Sequence, residues 1–478
     1  MPRSGLGPPQ SRALGRRWRL MAHRVLITGG AIISVDESIG ELRRGDLLFE
    51  DGKILHVARS IAADAELVDA TDMIVMPGLV EAHRHLWQTG TRADMLDGVL
   101  DDLVSSQWPA VASHLSPEDV YACVLAGAAE ALSGGVTTLL DWCHVANTPA
   151  HAEENLRALR DVGIRGRFMY GASMTRKLDE YAGSVAHPDS WEHAEVMLER
   201  EFTGTDGLLS FGLALQGLDT STLDLTKADI AVARRLSVPM GFHVGVPQGA
   251  PPRRSIERLA QAGLLGPDMT FAHCCDASDD ELRLLADAGS TAAACPSIDL
   301  ALGLGVPAHG RLRAAGLDPA VCVDSVIAST GDLFAEMRVS LLAERQRRAA
   351  AIFAAGRPVS SQAELRYSSR DALNAVTIHG ARTIWLDDQV GSLSPGKRAD
   401  IVLLRASDLN LIPPNDLVAT VVGAAHAGNV DTVFVNGRKL KAAGRLLHLD
   451  EAPVRAGLME ARDRMFAYAG YQGLRPPS

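Results

Sequence analysis

His83 and His85 stand one residue apart at the end of the run Met76-Pro77-Gly78-Leu79-Val80-Glu81-Ala82-His83-Arg84-His85. Along a strand, residues i and i+2 project to the same face. Both imidazoles therefore reach one point at the strand's C-terminal end. That is how a strand offers two nitrogen ligands to a single metal ion. The Pro-Gly pair interrupts the apolar run Met73 to Met76, and Leu79-Val80 resumes it.

Other chemically capable residues follow in order. His243 ends Val238-Pro239-Met240-Gly241-Phe242-His243, and His273 ends Met269-Thr270-Phe271-Ala272-His273. Asp324 ends Ala320-Val321-Cys322-Val323-Asp324. Each closes a short apolar run, as a buried parallel strand does. Three further motifs join them: Cys295-Pro296-Ser297 with Leu302-Gly303-Leu304-Gly305-Val306, then Val390-Gly391-Ser392-Leu393-Ser394-Pro395-Gly396-Lys397-Arg398-Ala399-Asp400-Ile401-Val402, then Val433-Phe434-Val435-Asn436-Gly437-Arg438. Over nearly all of residues 23–445 the set resembles the amidohydrolase superfamily, and within it the branch of deaminases and triazine hydrolases.

The resemblance implies an α/β protein, a (β/α)8 TIM-type barrel whose catalytic residues lie at the C-terminal ends of the strands. It implies His83, His85, His243 and Asp324 as ligands of a hydrolytic metal. His273 is then either a distal ligand or a hydrogen-bond partner of the attacking water. Asp324 also serves as proton shuttle. Three nitrogens and one oxygen suit Zn2+, with Fe2+ the alternative. Two-metal members carry a bridging lysine on the fourth strand. The matching run Leu209-Ser210-Phe211-Gly212-Leu213-Ala214-Leu215-Gln216 has none, so one ion per chain is expected.

A second departure touches the reaction. The resembled branch places a glutamate three residues after the third histidine, where it carries a proton to a ring nitrogen. Here the run is His243-Val244-Gly245-Val246, and Ile298-Asp299 replaces the usual Ser-Asn or Ala-Asn of a later loop. The expectation is a hydrolase of a non-peptide carbon–nitrogen bond in a small cyclic or amide-bearing substrate, weak on aminated aromatic rings. An aminohydrolase with a non-standard acid is the alternative, and a non-hydrolytic lyase or isomerase on the same scaffold is another. His144 and Asp299 are candidate replacement acids, against plainer roles as a loop hydrogen-bonder and a helix cap. Trp87, Gln88, Arg92, Trp108 and Gln216 are candidate substrate contacts, against ordinary helix-face packing. Glu336 and Arg338 read as a rim salt bridge, and His309 and His379 as structural.

The elements that must hold these residues alternate short apolar runs with helical patterns over 78–385, which argues a parallel sheet with crossover helices. Helices are expected at Pro117 to Ser133, Ala152 to Asp161, Ser190 to Glu201, Ser255 to Ala262, Asp332 to Ala350 and Ser369 to Gly380. Further strands are expected at Val136 to Asp141 and Arg167 to Tyr170. Residues 23–77 and 386–446 are strand-rich, with a hairpin turn at Asp51-Gly52, and are expected to join as one β-sandwich. Residues 1–22 read as a disordered extension and 447–478 as a helix and tail.

Composition bounds the rest. With 478 residues, 47% hydrophobic, 44 Gly and 23 Pro, the chain suits a large barrel plus a smaller domain. Its net charge of −11 argues against nucleic acid, and no apolar run approaches the ~18 residues of a membrane span. Cys123, Cys143, Cys274, Cys275, Cys295 and Cys322 show no zinc-ribbon or disulfide spacing and read as reduced thiols of a cytoplasmic protein. A small-molecule substrate and a homo-oligomer, dimer or tetramer, complete the expectations.

Overall fold

The computed structural model describes residues 23–173, 188–204, 207–246 and 253–469; the expected extension 1–22 and the last part of the tail lie outside them. Eight strands follow one another around a barrel: β1 (Leu79–Arg84), β2 (Val136–Ala146), β3 (Arg165–Ala172), β4 (Leu209–Leu215), β5 (Met240–Val244), β6 (Met269–His273), β7 (Thr291–Ala294) and β8 (Ala320–Val321). Each pairs in parallel with the next. A parallel bridge between Arg84 and Asp324 joins the last strand to the first, flanked by Asp324 N donating to His83 O (3.1 Å) and His85 N to Asp324 O (2.7 Å). The backbone at the two ends of the ligand set is thus tied together directly.

Parallel neighbours require crossovers, and helices Pro117–Ser133, Pro149–Val162, Pro188–Glu201, Leu223–Arg235, Ser255–Gln261 and Asp279–Asp287 supply them. Ser116, Thr222 and Ser278 cap three of these, each accepting from the backbone N–H three residues on, worth about 1 kcal/mol per cap. With helices outside and side chains inside, every residue of β2 is buried.

Two expected boundaries move. β2 runs to Ala146 rather than stopping at Asp141, so His144 sits on the strand and not in a loop. Asp141 and His144 break the apolar pattern, yet the ladder with β3 continues past them. The helix expected over Ser369 to Gly380 is two, Ser369–Ala375 and Ile378–Thr383. Thr377 leaves helical geometry (φ −131°, ψ −100°), and the Val376 carbonyl accepts from Val80 N of β1 (2.8 Å). The helix breaks so that its backbone can bond the barrel.

Both chain ends contribute to a second, nine-stranded sheet with its own core around Val25, Leu47, Phe49, Ile401 and Phe434. Strand Met73–Pro77 pairs with Arg24–Ile33 on one side and Ile401–Arg405 on the other, then runs straight on into β1. The strands carrying Phe49 and Phe434 are four steps apart, about 19 Å in a flat sheet. Their ring centroids are 5.6 Å apart, so the sheet folds over on itself. Gly78, at the junction, has no room for a Cβ: Thr137 Oγ1 would lie 2.0 Å from it. A buried ion pair fastens sheet to barrel. Arg165 of β3 gives Nε to Asp400 Oδ2 (2.9 Å) and Nη2 to Oδ1 (3.1 Å), and Asn436 N adds a third bond to Asp400 (2.7 Å). The C-terminal helix Glu451–Ala469 packs on Pro117–Ser133.

Candidate active site

The strand ends bring His83, His85, His243 and Asp324 to one point, with one ligand atom from each lying within 4.8 Å of all the others. Asp324 Oδ1 is 3.2 Å from His83 Nε2 and 3.1 Å from His85 Nε2, and His85 Nε2 is 3.2 Å from His243 Nε2. His83 Nε2 and Asp324 Oδ1 are nevertheless buried without a hydrogen-bond partner, because they face a common centre and not each other. Four atoms about 2.0–2.2 Å from a tetrahedral ion stand at this kind of mutual spacing. The donor set fits a divalent metal ion.

The tautomers fit as well. His85 Nδ1 lies 3.3 Å from the Trp142 carbonyl oxygen, which can only accept, so Nδ1 carries the proton and Nε2 offers its lone pair. Burial lowers His83 to about 4 and His243 well below the usual imidazole range, which keeps both neutral and ligand-competent. Burial alone would raise Asp324, but His83 and His85 outweigh it and hold the carboxyl well below its ordinary value. Gly241 makes this packing possible. A Cβ there would meet the Trp142 ring at 2.5 Å, and that ring packs 4.4 Å from the His243 ring.

His273 stands beside the cluster. Its Nδ1 donates to Asp299 Oδ1 (2.8 Å), which turns Nε2 toward the cavity. Burial would lower the His273 pKa, but Asp299 outweighs it and the net shift is upward. His83, His273, Cys295 and Asp324 also group closely enough to share an ion, so His273 lies within ligand reach. His273 (φ +70°) and Asp324 (φ +63°) both adopt left-handed backbone, a strained conformation costing roughly 1–3 kcal/mol at a residue other than glycine.

Above the cluster lies a cavity of about 90 Å3 that opens to solvent at its mouth. Leu100, Leu103, Trp108, Val246, Leu302, Leu304 and Ile327 form apolar walls; Gln88, His144, Gln216, Asp219 and Ser325 add polar groups. Among the described residues lining it, none is lysine or arginine. Gln88 Nε2, Trp108 Nε1, Gln216 Nε2 and both His144 nitrogens are buried without partners.

Of the expected substrate contacts, Gln88, Trp108, His144 and Gln216 line this cavity, while Trp87, Arg92 and Asp299 do not. Trp87 is buried behind His144, with ring centroids 5.4 Å apart. Arg92 turns outward to Glu130 (2.8 Å), which also holds Arg84 (3.1 Å). Asp299 is fully buried and spends its oxygens on His273 and Cys295 N (3.3 Å), so it orients and caps. Glu336 accepts from Ser297 N (3.1 Å) and Arg338 bonds the Gly423 and Ala425 carbonyls, so the two form no rim pair. His309 bonds the Ser340 carbonyl (2.9 Å), away from the cavity. Asp219, in the turn after β4, was not anticipated, and only its Gln216-Gly217-Leu218-Asp219 setting at a strand end hinted at it.

A barrel with a metal-ligand cluster at its strand ends and a second sheet from both chain ends defines a class of metal-dependent hydrolases. The model of the amidohydrolase family matches residues 74–440, and the chain belongs to that family. The 5-methylthioadenosine/S-adenosylhomocysteine deaminase of Symbiobacterium thermophilum is 28% identical over 440 residues, covering 87% of this chain and 93% of its own. Among solved structures, an adenosine deaminase from Xanthomonas campestris with bound zinc has a TM-score of 0.80 at 23% identity, covering 93% and 98% of the two chains. The atrazine chlorohydrolase TrzN of Arthrobacter aurescens complexed with zinc has a TM-score of 0.78 at 21% identity, covering 92% and 100%. This chain is a metal-dependent enzyme that hydrolyses carbon–nitrogen bonds other than peptide bonds.

Proposed function

We propose that the substrate is a small, flat, uncharged nitrogen heterocycle with apolar substituents, hydrolysed at a carbon–nitrogen bond with one zinc ion per chain. The observation that carries this is the cavity: apolar walls around buried donors, Gln88 Nε2, Trp108 Nε1 and Gln216 Nε2, that have no partner in the protein. A buried unsatisfied donor costs about 1–3 kcal/mol. A ring rich in acceptor atoms can meet these donors, and the leucine walls suit apolar substituents better than a sugar's hydroxyls. The curated relatives are named as deaminases of nucleosides, which supports hydrolysis at an amino-bearing ring; the preference for a ring without the sugar rests on the apolar walls.

His83, His85, His243 and Asp324 would hold the ion, which when bound supplies Lewis acidity to water and substrate. The protein's own groups do the rest. Asp324 accepts a proton from the attacking water and returns it to the leaving group. His273, steadied by Asp299, hydrogen-bonds at the point of attack. Gln88, Trp108 and Gln216 hold the ring, and the leucines exclude bulk water.

The test is a panel with zinc-loaded enzyme: an alkylamino-triazine, 4-aminopyrimidine, hydantoin, adenine and 5′-methylthioadenosine, with ammonia or amine release and incorporation of oxygen from labelled water. At least one of the non-nucleoside rings should exceed the nucleoside in kcat/KM by about tenfold or more. Preference for the nucleoside, or product without labelled oxygen, refutes the reading.

A further inference from the structure

Val246 leaves the fifth-strand loop without the carboxylate that would carry a proton to a ring nitrogen, yet the cavity wall at that place is acidic. Asp219 lines the same cavity as Val246, His243 and His273. It is 4% exposed, and its Oδ2 lies 3.4 Å from Val246 N. Ser255 Oγ donates to its Oδ1, and Arg253 donates to its backbone carbonyl. Two turns are thereby fastened around one buried carboxylate, beside the residue whose side chain is missing an acid. Asp299 is shut away beneath His273, and the His144 ring packs among His85, Trp87 and Trp108.

We propose that Asp219 is a catalytic residue that carries the proton to the substrate's ring nitrogen, so that a carboxylate contributed after β4 replaces one contributed after β5. The role rests on the carbon–nitrogen hydrolase reading and extends it to aminated rings, against the expectation drawn from Val246 alone. Water adds its oxygen to the ring carbon as the C=N π pair moves onto the ring nitrogen. Asp219 takes one water proton and delivers it to that nitrogen. Asp324 takes the other and delivers it to the exocyclic amine. The carbon–amine bond then breaks, its electron pair leaving on nitrogen as ammonia. One water is consumed, one ammonia is released, and both carboxylates end as they began. Burial raises the Asp219 pKa, although Ser255 and the Val246 backbone oppose it.

The experiment uses the full-length zinc-loaded protein and two probes of one shape, 4-aminopyrimidine and aniline, the second lacking ring nitrogens. Calorimetry should show the wild type binding 4-aminopyrimidine about tenfold or more tighter than aniline. D219A should lose that preference, and D219A/V246E, which places a glutamate back on the fifth-strand loop, should regain it. Preference retained in D219A, or absent from the wild type, overturns the assignment. Should D219A not fold, D219N, whose amide still donates to a ring nitrogen but carries no proton across, should bind 4-aminopyrimidine as the wild type does and lose its turnover by ~10²-fold or more; turnover within tenfold of wild type overturns the proposal. Failure of the hydrolase reading looks different: the Asp219-dependent preference stands while no panel compound takes up oxygen from water.

Discussion

Changing Asp400 to Asn removes the negative half of the ion pair that fastens the second sheet to β3. Both side chains are at most 3% exposed. Removing one partner of such a pair strands a charge out of water, typically at 3–5 kcal/mol. Arg165 keeps one neutral acceptor, Asn436 Oδ1 at 3.2 Å, which points to the lower end, about 3 kcal/mol. That is roughly a hundredfold in the folded-to-unfolded ratio. Arg165→Met should lose a similar amount, because it leaves the Asp400 carboxylate buried with only backbone and hydroxyl donors. The double variant Arg165→Met/Asp400→Leu strands no charge and should recover most of the loss. The assays are thermal melting and the half-life of unfolding at fixed temperature, with zinc content measured alongside. The ligand cluster is not part of this junction, so zinc content should hold while stability falls. An Asp400→Asn protein within about 1 kcal/mol of wild type, or a double variant no better than the worse single, would show that the pair does not join the two parts in the way described.

Three other outcomes are expected. His83→Ala or His243→Ala should strip the divalent ion by elemental analysis, while Arg92→Ala, outside the cavity, should keep it. Asp324→Asn should lose turnover on any panel substrate by ~10²-fold or more, and a near-normal rate with metal retained would remove it from the proton path. Burial pushes the Glu336 carboxyl up to about 8 from its ordinary 4.5. Between those values the folded chain binds more protons than the unfolded one, so this group's contribution to stability falls as pH rises across that window. Glu336→Gln, which keeps an acceptor for Ser297 N, should therefore melt higher than wild type at pH 8 and near it at pH 4. A lower melting temperature at pH 8 refutes this.

The ligand set was legible because a strand end is a local event. An apolar run closing on histidine or aspartate says where the side chain must emerge: His83 and His243 are the next-to-last residues of β1 and β5, His273 is the last of β6, and Asp324 follows β8 by three. Groups whose meaning depends on a partner far along the chain were not legible. Arg92 looked available for substrate until Glu130, from helix Pro117–Ser133, claimed it. Asp299 looked like a replacement acid until His273 took its oxygen. Asp219 carries no motif, and its closeness to Val246 arises only when the turns after β4 and β5 meet. His144 was misplaced by a boundary: the strand pattern breaks at Asp141, although backbone pairing does not.

The left-handed backbone at His273 and Asp324 has a consequence for how this protein can change. At both positions a glycine would relax the chain, and at both a glycine would abolish the chemistry. Heat tolerance and turnover therefore pull these two sites in opposite directions. A library selected for thermal survival alone is not held to histidine and aspartate at these positions and can lose the active centre as it hardens. Stabilising substitutions compatible with activity have to be sought in the sheet and the outer helices, leaving the strained strand ends as they are.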